Sequence, residues 1–429
     1  MANHDALARV LLLGMPGAPW RQTLAVRSLT AMFTNDHRLD VVAVDALAPL
    51  PPRLAQLNFD IIILSPTFLS ARYSHDLLDR IKTSFSYVAT STAMKVALPQ
   101  DDYDCSEILE SWLADWGVDL VYTVCPDNWG ILYPRCHAAG KVRLGYTAYL
   151  LDGQVLPLDS QPSWTRRHID VTYRASRLPF NFGGLGQLKA EVVDAFLGCI
   201  SSPDRFVFDL AVGHTNQITG RAWMKFMADS RFVLVSPSGS PVIDPVGELR
   251  RLAIHDSVPQ HSLEDFFVAA KGLKWSMCEN TMISPRNIEA ALTGTVQIAL
   301  PSSYSGILDP HDHYVPLDGS RDVEAALAND VNWHAIRHRT FEAITSVHRL
   351  RASAIIGEIL DEASIHHRRA IGQVRTQRTR RAVVNACTRA AAGFSATAYW
   401  GIRQLRSRAE RKLGPVCRYF VNVLRLRTR

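Results

Sequence analysis

Cysteine is scarce. The 429 residues hold seven (Cys105, Cys125, Cys136, Cys199, Cys278, Cys387 and Cys417), an odd and scattered set with no Cys-x-x-Cys pair. That spacing excludes a disulfide scaffold and a cysteine zinc site, and it suits a reducing compartment. An uninterrupted membrane-spanning run is also missing: the best stretch, 382–402, is broken by Asn385, Arg389 and small polar residues. The opening MANHDALARVLLLGMPG lacks the basic head and cleavage pattern of a signal peptide and runs straight into an apolar strand. A cytoplasmic chain is expected. Neither Leu13-Gly14-Met15-Pro16-Gly17 nor Gly183-Gly184-Leu185-Gly186 fits the dinucleotide fingerprint or the Walker pattern. A nicotinamide dehydrogenase or P-loop kinase is thereby disfavoured, and glycine in such places serves a strand-to-helix turn. There is no HExxH metal motif.

What is present is ordinary for a globular chain: 47% hydrophobic and 21% charged residues. The length predicts two domains. The net charge of +6 conceals an asymmetry, because residues 366–429 carry sixteen Lys and Arg against one acid, Glu410. The rest of the chain is therefore mildly acidic.

Short aliphatic runs alternate with helix-like segments. Strands are predicted at 10–13, 41–44, 61–64, within 87–98 and at 120–124, with helices at 20–35 and 106–116. A second series has strands at 206–210, 232–235 and 296–300, and helices at 262–270 and 286–293. Ser284 suits an N-cap and Pro285 the first turn, while Gly294 can end that helix. Runs without strict alternation predict parallel sheets covered on both faces. The expected architecture is α/β: two Rossmann-like lobes facing a cleft, at 1–180 and 181–345, followed by a helical basic extension at 346–429.

The strongest local pattern is Ser284-Pro285-Arg286-Asn287-Ile288-Glu289-Ala290-Ala291-Leu292-Thr293-Gly294, joined to Tyr304-Ser305-Gly306-Ile307-Leu308-Asp309-Pro310. It resembles the nucleotide-binding half of GT-B-fold glycosyltransferases, most nearly the bacterial family-1-like or CgeB-like group. Tyr173 to Phe180, Gly186-Gln187-Leu188-Lys189 and Gly220-Arg221-Ala222-Trp223 extend the likeness, as does Gln100-Asp101-Asp102-Tyr103-Asp104 in the first lobe. The resemblance implies a nucleotide diphosphate sugar as donor, an acceptor that is a glycan or lipid-linked saccharide, and no tightly bound cofactor. It implies that Glu289 contacts the donor ribose. Ser236-Pro237-Ser238-Gly239 departs from the family, which often carries Glu-Ser-Gly there. A GT-B-like scaffold that has lost turnover is the alternative.

The chemistry needs a stabilised diphosphate, a held nucleoside and an aligned acceptor hydroxyl. Arg286 can offer a guanidinium fork beside helix N–H groups, and Glu289 lies near the same helical face; a surface Arg–Glu pair is the alternative. Lys274, and less so Lys271, can neutralise the diphosphate, and that clamp removes the need for a metal. Backbone groups of Tyr304, Ser305 and Gly306 can touch phosphate or sugar, or form a simple turn. Asp101, Asp102 and Asp104 crowd like charges together. Asp102 is slightly favoured over Asp101 as a base, and either residue could instead cap the helix that begins near Ser106 or bind acceptor hydroxyls. His214 can orient phosphate, close the cleft or serve structure. Either stereochemical outcome suits these residues.

The tail at 366–429 is suited to an anionic membrane surface, placing the enzyme peripherally on the inner face. Solvated helices or an oligomer contact are the alternatives. Its arginines could also neutralise nucleic-acid phosphates, but no reading module accompanies them.

Overall fold

The computed structural model describes residues 7–17, 22–51, 53–153, 155–213, 217–254, 262–319, 323–328 and 333–368. Six strands form the first sheet: β1 (Ala8–Gly14), β2 (Leu39–Asp45), β3 (Ile61–Leu64), β4 (Met94–Ala97), β5 (Leu120–Thr123) and β6 (Val142–Leu144). Their order is β2-β1-β3-β4-β5-β6, and every pairing is parallel. β3 and β5 are buried along their whole length. This follows from helices covering both faces, and it explains why those strands read as unbroken apolar runs.

A second sheet is built from β7 (Ile169–Ala175), β8 (Phe208–Val212) and β9 (Ser230–Val235). After these the chain makes two short antiparallel pairs. β10 (Ser238–Gly239) and β11 (Val242–Ile243) meet β13 (Thr281–Met282) and β12 (Ser276–Met277), respectively. β14 (Val296–Ala299) and β15 (Val315–Pro316) then complete the second sheet, ordered β15-β14-β9-β7-β8 and again all parallel. The chain thus forms two doubly wound lobes, as its alternating strand and helix pattern predicts.

Several boundaries differ from the sequence reading. Within 87–98 only β4 is extended, since Ser86–Thr90 is helical. The second lobe's sheet begins at β7, before residue 180, because Ile169–Ala175 pairs with both β8 and β9. Residues beyond 346 do not simply follow the second lobe. The helix Ala352–Arg368 returns to the first, placing Ile355, Ile356 and Ile359 in one core with Val10, Leu12 and Ile61. The two chain crossings lie side by side: the Leu150 N–H donates to Leu350 O (2.7 Å), and the Ala352 N–H to Leu150 O (2.9 Å). Of the basic tail, 369–429 lies outside the described residues.

The segment between β9 and β14 fastens the lobes together. The Asp244 N–H donates to Tyr103 O (2.9 Å) and the Glu107 N–H to Pro245 O (3.0 Å). Arg250 pairs with Asp104, a carboxylate only 1% exposed. Gly239 has φ 106°, and a Cβ there would lie 2.1 Å from Asn280 O, so the hairpin requires glycine. Burial raises the Asp104 pKa, with Arg250 and Arg72 opposing. Substitution Arg250→Leu strands this carboxylate, and a loss of about 3–5 kcal/mol at neutral pH is expected. The folded pKa of Asp104 lies above its unfolded value, so protonation favours the fold and the deficit should shrink as pH falls. Urea unfolding at neutral and mildly acidic pH checks both points.

Candidate functional site

In open parallel sheets, ligands bind beyond the carboxyl ends of the strands, where strand order reverses. That point in the second lobe lies between β7 and β9. A cleft of about 570 Å³ opens there, within the size range of ligand sites. Arg174 and Ser176 enter it from the end of β7, and Ser236 and Ser238 from the chain after β9. The helix Pro285–Thr293 contributes Arg286 and Glu289, the helix Gly183–Leu197 contributes Lys189, and Gly220–Ala228 contributes Trp223. Gln100 and Asp101 close the cleft from the first lobe, following β4.

Arg286, Glu289 and Arg174 are each held in place. Arg286 donates from Nη2 to Arg174 O (2.5 Å), and its guanidinium carbon lies 4.6 Å from the centre of the Tyr173 ring. Its Nε is buried without a hydrogen-bond partner. Glu289 Oε2 accepts from Trp223 Nε1 (2.8 Å), which orients the carboxylate. Burial raises the Glu289 pKa, and both the indole bond and Arg286 oppose that rise. Lys189 is shifted the other way: burial lowers its pKa, Asp101 opposes, and the like charge of Arg286 adds to the lowering. Arg174 is committed to Asp209, through Asp209 O (2.9 Å) and Oδ1 (2.6 Å). The cleft therefore concentrates positive charge beside one oriented carboxylate. It can receive a polyanion and a pair of hydroxyl donors together.

Of the residues singled out from sequence, Arg286, Glu289, Ser284 and Asp101 line this cleft. Ser284 is the N-cap of this helix, in a capping box with Asn287. Its backbone N–H (3.0 Å) and hydroxyl (2.7 Å) both donate to Asn287 Oδ1. Asp102 is a correction. It is fully buried, accepts from Thr123 Oγ1 and from the Tyr133 hydroxyl (2.7 Å), and has a pKa raised by burial. Its carboxylate does not line the cleft. Asp104 is equally committed, to Arg250. Asp101 instead adopts φ 53°, accepts from the Tyr103 hydroxyl (2.8 Å), and is exposed at the cleft.

Lys274 is a second correction. Its ammonium pairs with Glu107 on the outer surface, its side chain 59% exposed, and it does not line the cleft. Tyr304, Ser305 and Gly306 form a turn of three positive φ angles, also away from the cleft lining. Tyr304 is buried and its hydroxyl donates to Leu300 O (2.6 Å). Ser305 Oγ accepts the Ile283 N–H (3.0 Å), so this turn supports the chain entering the Arg286 helix. His214 lies outside the described residues.

Lys189 and Trp223 carry weight that sequence reasoning did not assign. Both belonged to motifs of the family resemblance, but no spacing rule connects them to Arg286 and Glu289. The glycines before Lys189 serve packing: a Cβ on Gly186 would lie 2.5 Å from Phe182 Cβ. Among the described residues, no group of three or more His, Cys, Asp or Glu is placed to hold a metal ion.

No protein-family model and no curated protein matches the chain. Among solved structures it is similar to Anabaena HepE in complex with UDP-glucose, at 12% identity and TM-score 0.46, covering 83% of this chain and 99% of that one. The pneumococcal O-GlcNAc transferase GtfA with UDP and GlcNAc is also similar, at 10% identity and TM-score 0.40, covering 72% of this chain and 58% of that one. An α1,3-fucosyltransferase follows at 9% identity and TM-score 0.36, covering 85% and 92%. Scores this low assign no activity, donor or acceptor to this chain.

The contrast between neighbouring aspartates is testable by urea unfolding. Asp102→Ala, which removes the acceptor shared by buried Thr123 and Tyr133, should cost about 1–3 kcal/mol. Asp101→Asn, at an exposed position that tolerates a positive φ, should stay within about 0.5 kcal/mol.

Proposed function

We propose that the protein is a nucleotide-sugar-dependent glycosyltransferase, with the second lobe holding the donor and the first lobe the acceptor. The observation that carries this reading is the grouping of Lys189, Arg286 and Trp223-oriented Glu289 at the strand-order reversal of the second sheet. The two cations and the nearby helix start suit a diphosphate. The carboxylate suits a ribose diol. The motif resemblance around Arg286 and Glu289 supports the same assignment. In the transfer, the bond between the sugar's anomeric carbon and the diphosphate oxygen breaks, and a bond to the acceptor oxygen forms. The acceptor proton passes to Asp101 or to the departing phosphate. Lys189 and Arg286 stabilise the negative charge left on the diphosphate, so no metal is required. The acceptor is a glycan or a lipid-linked saccharide at the inner membrane face, with the basic tail as the membrane contact.

The pH dependence of donor use has a definite sign. Diol binding needs ionised Glu289, whose raised pKa should make activity fall with acidification above the ordinary glutamate range near ~4.3. Diphosphate binding needs protonated Lys189, whose lowered pKa should start an alkaline decline below the ordinary lysine range near ~10.4. Glu289→Gln should remove the acid limb and Lys189→Arg should push the alkaline limb upward. Profiles of kcat/KM against pH check both.

The direct test supplies a panel of nucleotide sugars and measures release of nucleoside diphosphate with and without saccharide acceptors. Lys189→Met and Arg286→Met should each lower kcat/KM by roughly 100-fold, the loss expected on removing one charge-stabilising donor. Wild-type rates in both variants would remove the basis for the assignment. Donor binding without turnover by the native protein would favour the non-catalytic scaffold, a reading that the serines at 236 and 238 keep in view.

A further inference from the structure

Asp101 and Lys189 bring opposite charges into one cleft, one from each lobe. Away from bulk water such charges attract more strongly. A direct ion pair between them would engage the carboxylate and the ammonium with each other and leave neither for a ligand. The two do share a field, since the Asp101 charge opposes the burial that lowers the Lys189 pKa. Yet the Asp101 carboxylate has been given a different partner.

That partner is the Tyr103 hydroxyl, which donates to Asp101 Oδ1 (2.8 Å). Tyr103 is only 4% exposed, and its ring meets that of Phe182 edge to face, with centroids 6.2 Å apart. Phe182 directly precedes the helix Gly183–Leu197 that carries Lys189. The Lys189 backbone is fixed in turn, because the Tyr173 hydroxyl donates to Lys189 O (2.7 Å). The Asp101 backbone is clamped separately. Arg72, 2% exposed, donates from Nη2 to Gln100 O (2.8 Å) and Asp101 O (2.9 Å), and from Nε to Asp104 O (2.9 Å). The Asp104 N–H closes the turn onto Asp101 O (3.0 Å). With both backbones fixed, what remains free is rotation of the Asp101 side chain, and the Tyr103 hydroxyl selects its direction. A phenylalanine ring would fill the same space against Phe182, so the hydroxyl is the informative part of this residue.

We propose that Tyr103 is a positioning residue that holds the Asp101 carboxylate away from Lys189, so that the cleft does not neutralise itself through an internal ion pair. Asp101 then stays available to an acceptor hydroxyl, and Lys189 to a diphosphate. The inference rests on the transferase reading for those two roles, but the positioning itself is testable without it.

The test follows Lys189 by NMR in the full-length protein carrying isotope-labelled lysine, its resonance assigned with Lys189→Arg. Tyr103→Phe keeps the ring on Phe182 and removes the hydroxyl. The released carboxylate should pair with Lys189 and raise its titration midpoint by about 1 pH unit, the low end of what an opposite charge at close range does. Asp101→Asn should move the midpoint the other way, because the charge that supports the ammonium is gone. The charges that face Lys189 from the other elements, Arg286, Glu289 and Arg174, are the same in every variant. Titration with nucleoside diphosphate gives a second reading. If the internal pair holds Lys189 in about nine molecules of ten, affinity falls about 10-fold in Tyr103→Phe. Combining Tyr103→Phe with Asp101→Asn should restore it, a rescue that damaged packing would not show. An unchanged or lowered Lys189 midpoint in Tyr103→Phe overturns the proposal, as does an affinity loss that persists in the double variant. Absence of diphosphate binding by wild type counts against the transferase reading, while the Lys189 midpoints still decide the role of Tyr103.

Discussion

Two cations that lose water beside each other raise one another's energy, and the second lobe is organised around that cost. Lys189 and Arg286 come from separate helices and converge at the end of β7. The effect is visible in Lys189, whose proton affinity falls through burial and through the charge of Arg286. A guanidinium held by Arg174 O and stacked against Tyr173 cannot swing out to relieve the strain. A bound polyanion would offset that cost and offer an acceptor to the unpartnered Arg286 Nε. The Glu289 carboxylate is directed by Trp223 and penalised by burial, and the charge of Arg286 partly offsets that penalty.

Such a site requires lobes that stay in register. Two features supply this. The crossings at Leu150 and Ala352 are tied backbone to backbone, and the helix Ala352–Arg368 completes the first lobe's core. On the other side, the chain from β10 to β13 inserts Ile243 and Met282 into the first lobe's apolar cluster and clasps Asp104 with Arg250. Asp101 reaches the cleft while Asp102 and Asp104, which follow it, are anchored by Thr123, Tyr133 and Arg250. The acidic triplet is thus one solvent-facing carboxylate followed by two structural ones, which also solves the problem of crowding three like charges.

The legible parts of the sequence were those whose physics is local. Ile61–Leu64 reads as a buried strand because every side chain is apolar, and Pro285–Thr293 reads as a helix because Ser284, Pro285 and Gly294 mark its ends. Arg286 and Glu289 share that helix, so their joint appearance in the cleft follows from three-residue spacing. Lys189 was not legible in the same way. Its partners lie about a hundred residues away, and its approach is set by the packing of Gly186 on Phe182 and by the Tyr173 hydroxyl on Lys189 O. Asp102 and Lys274 misled for a related reason. A carboxylate or lysine near the correct strand end has the right chemistry, but Thr123, Tyr133 and Glu107, all distant in sequence, had already claimed them.

The central claim is that the cationic cleft of the second lobe recognises a nucleoside diphosphate. Calorimetric titration with nucleoside diphosphates, each set against its monophosphate, tests it most directly when wild type is compared with Glu289→Ala. The account predicts selective binding of a diphosphate by wild type, with at least 10-fold tighter affinity than the monophosphate and clear weakening in the variant. Equal affinity for mono- and diphosphates, or no binding by wild type across salt and metal conditions, would contradict it.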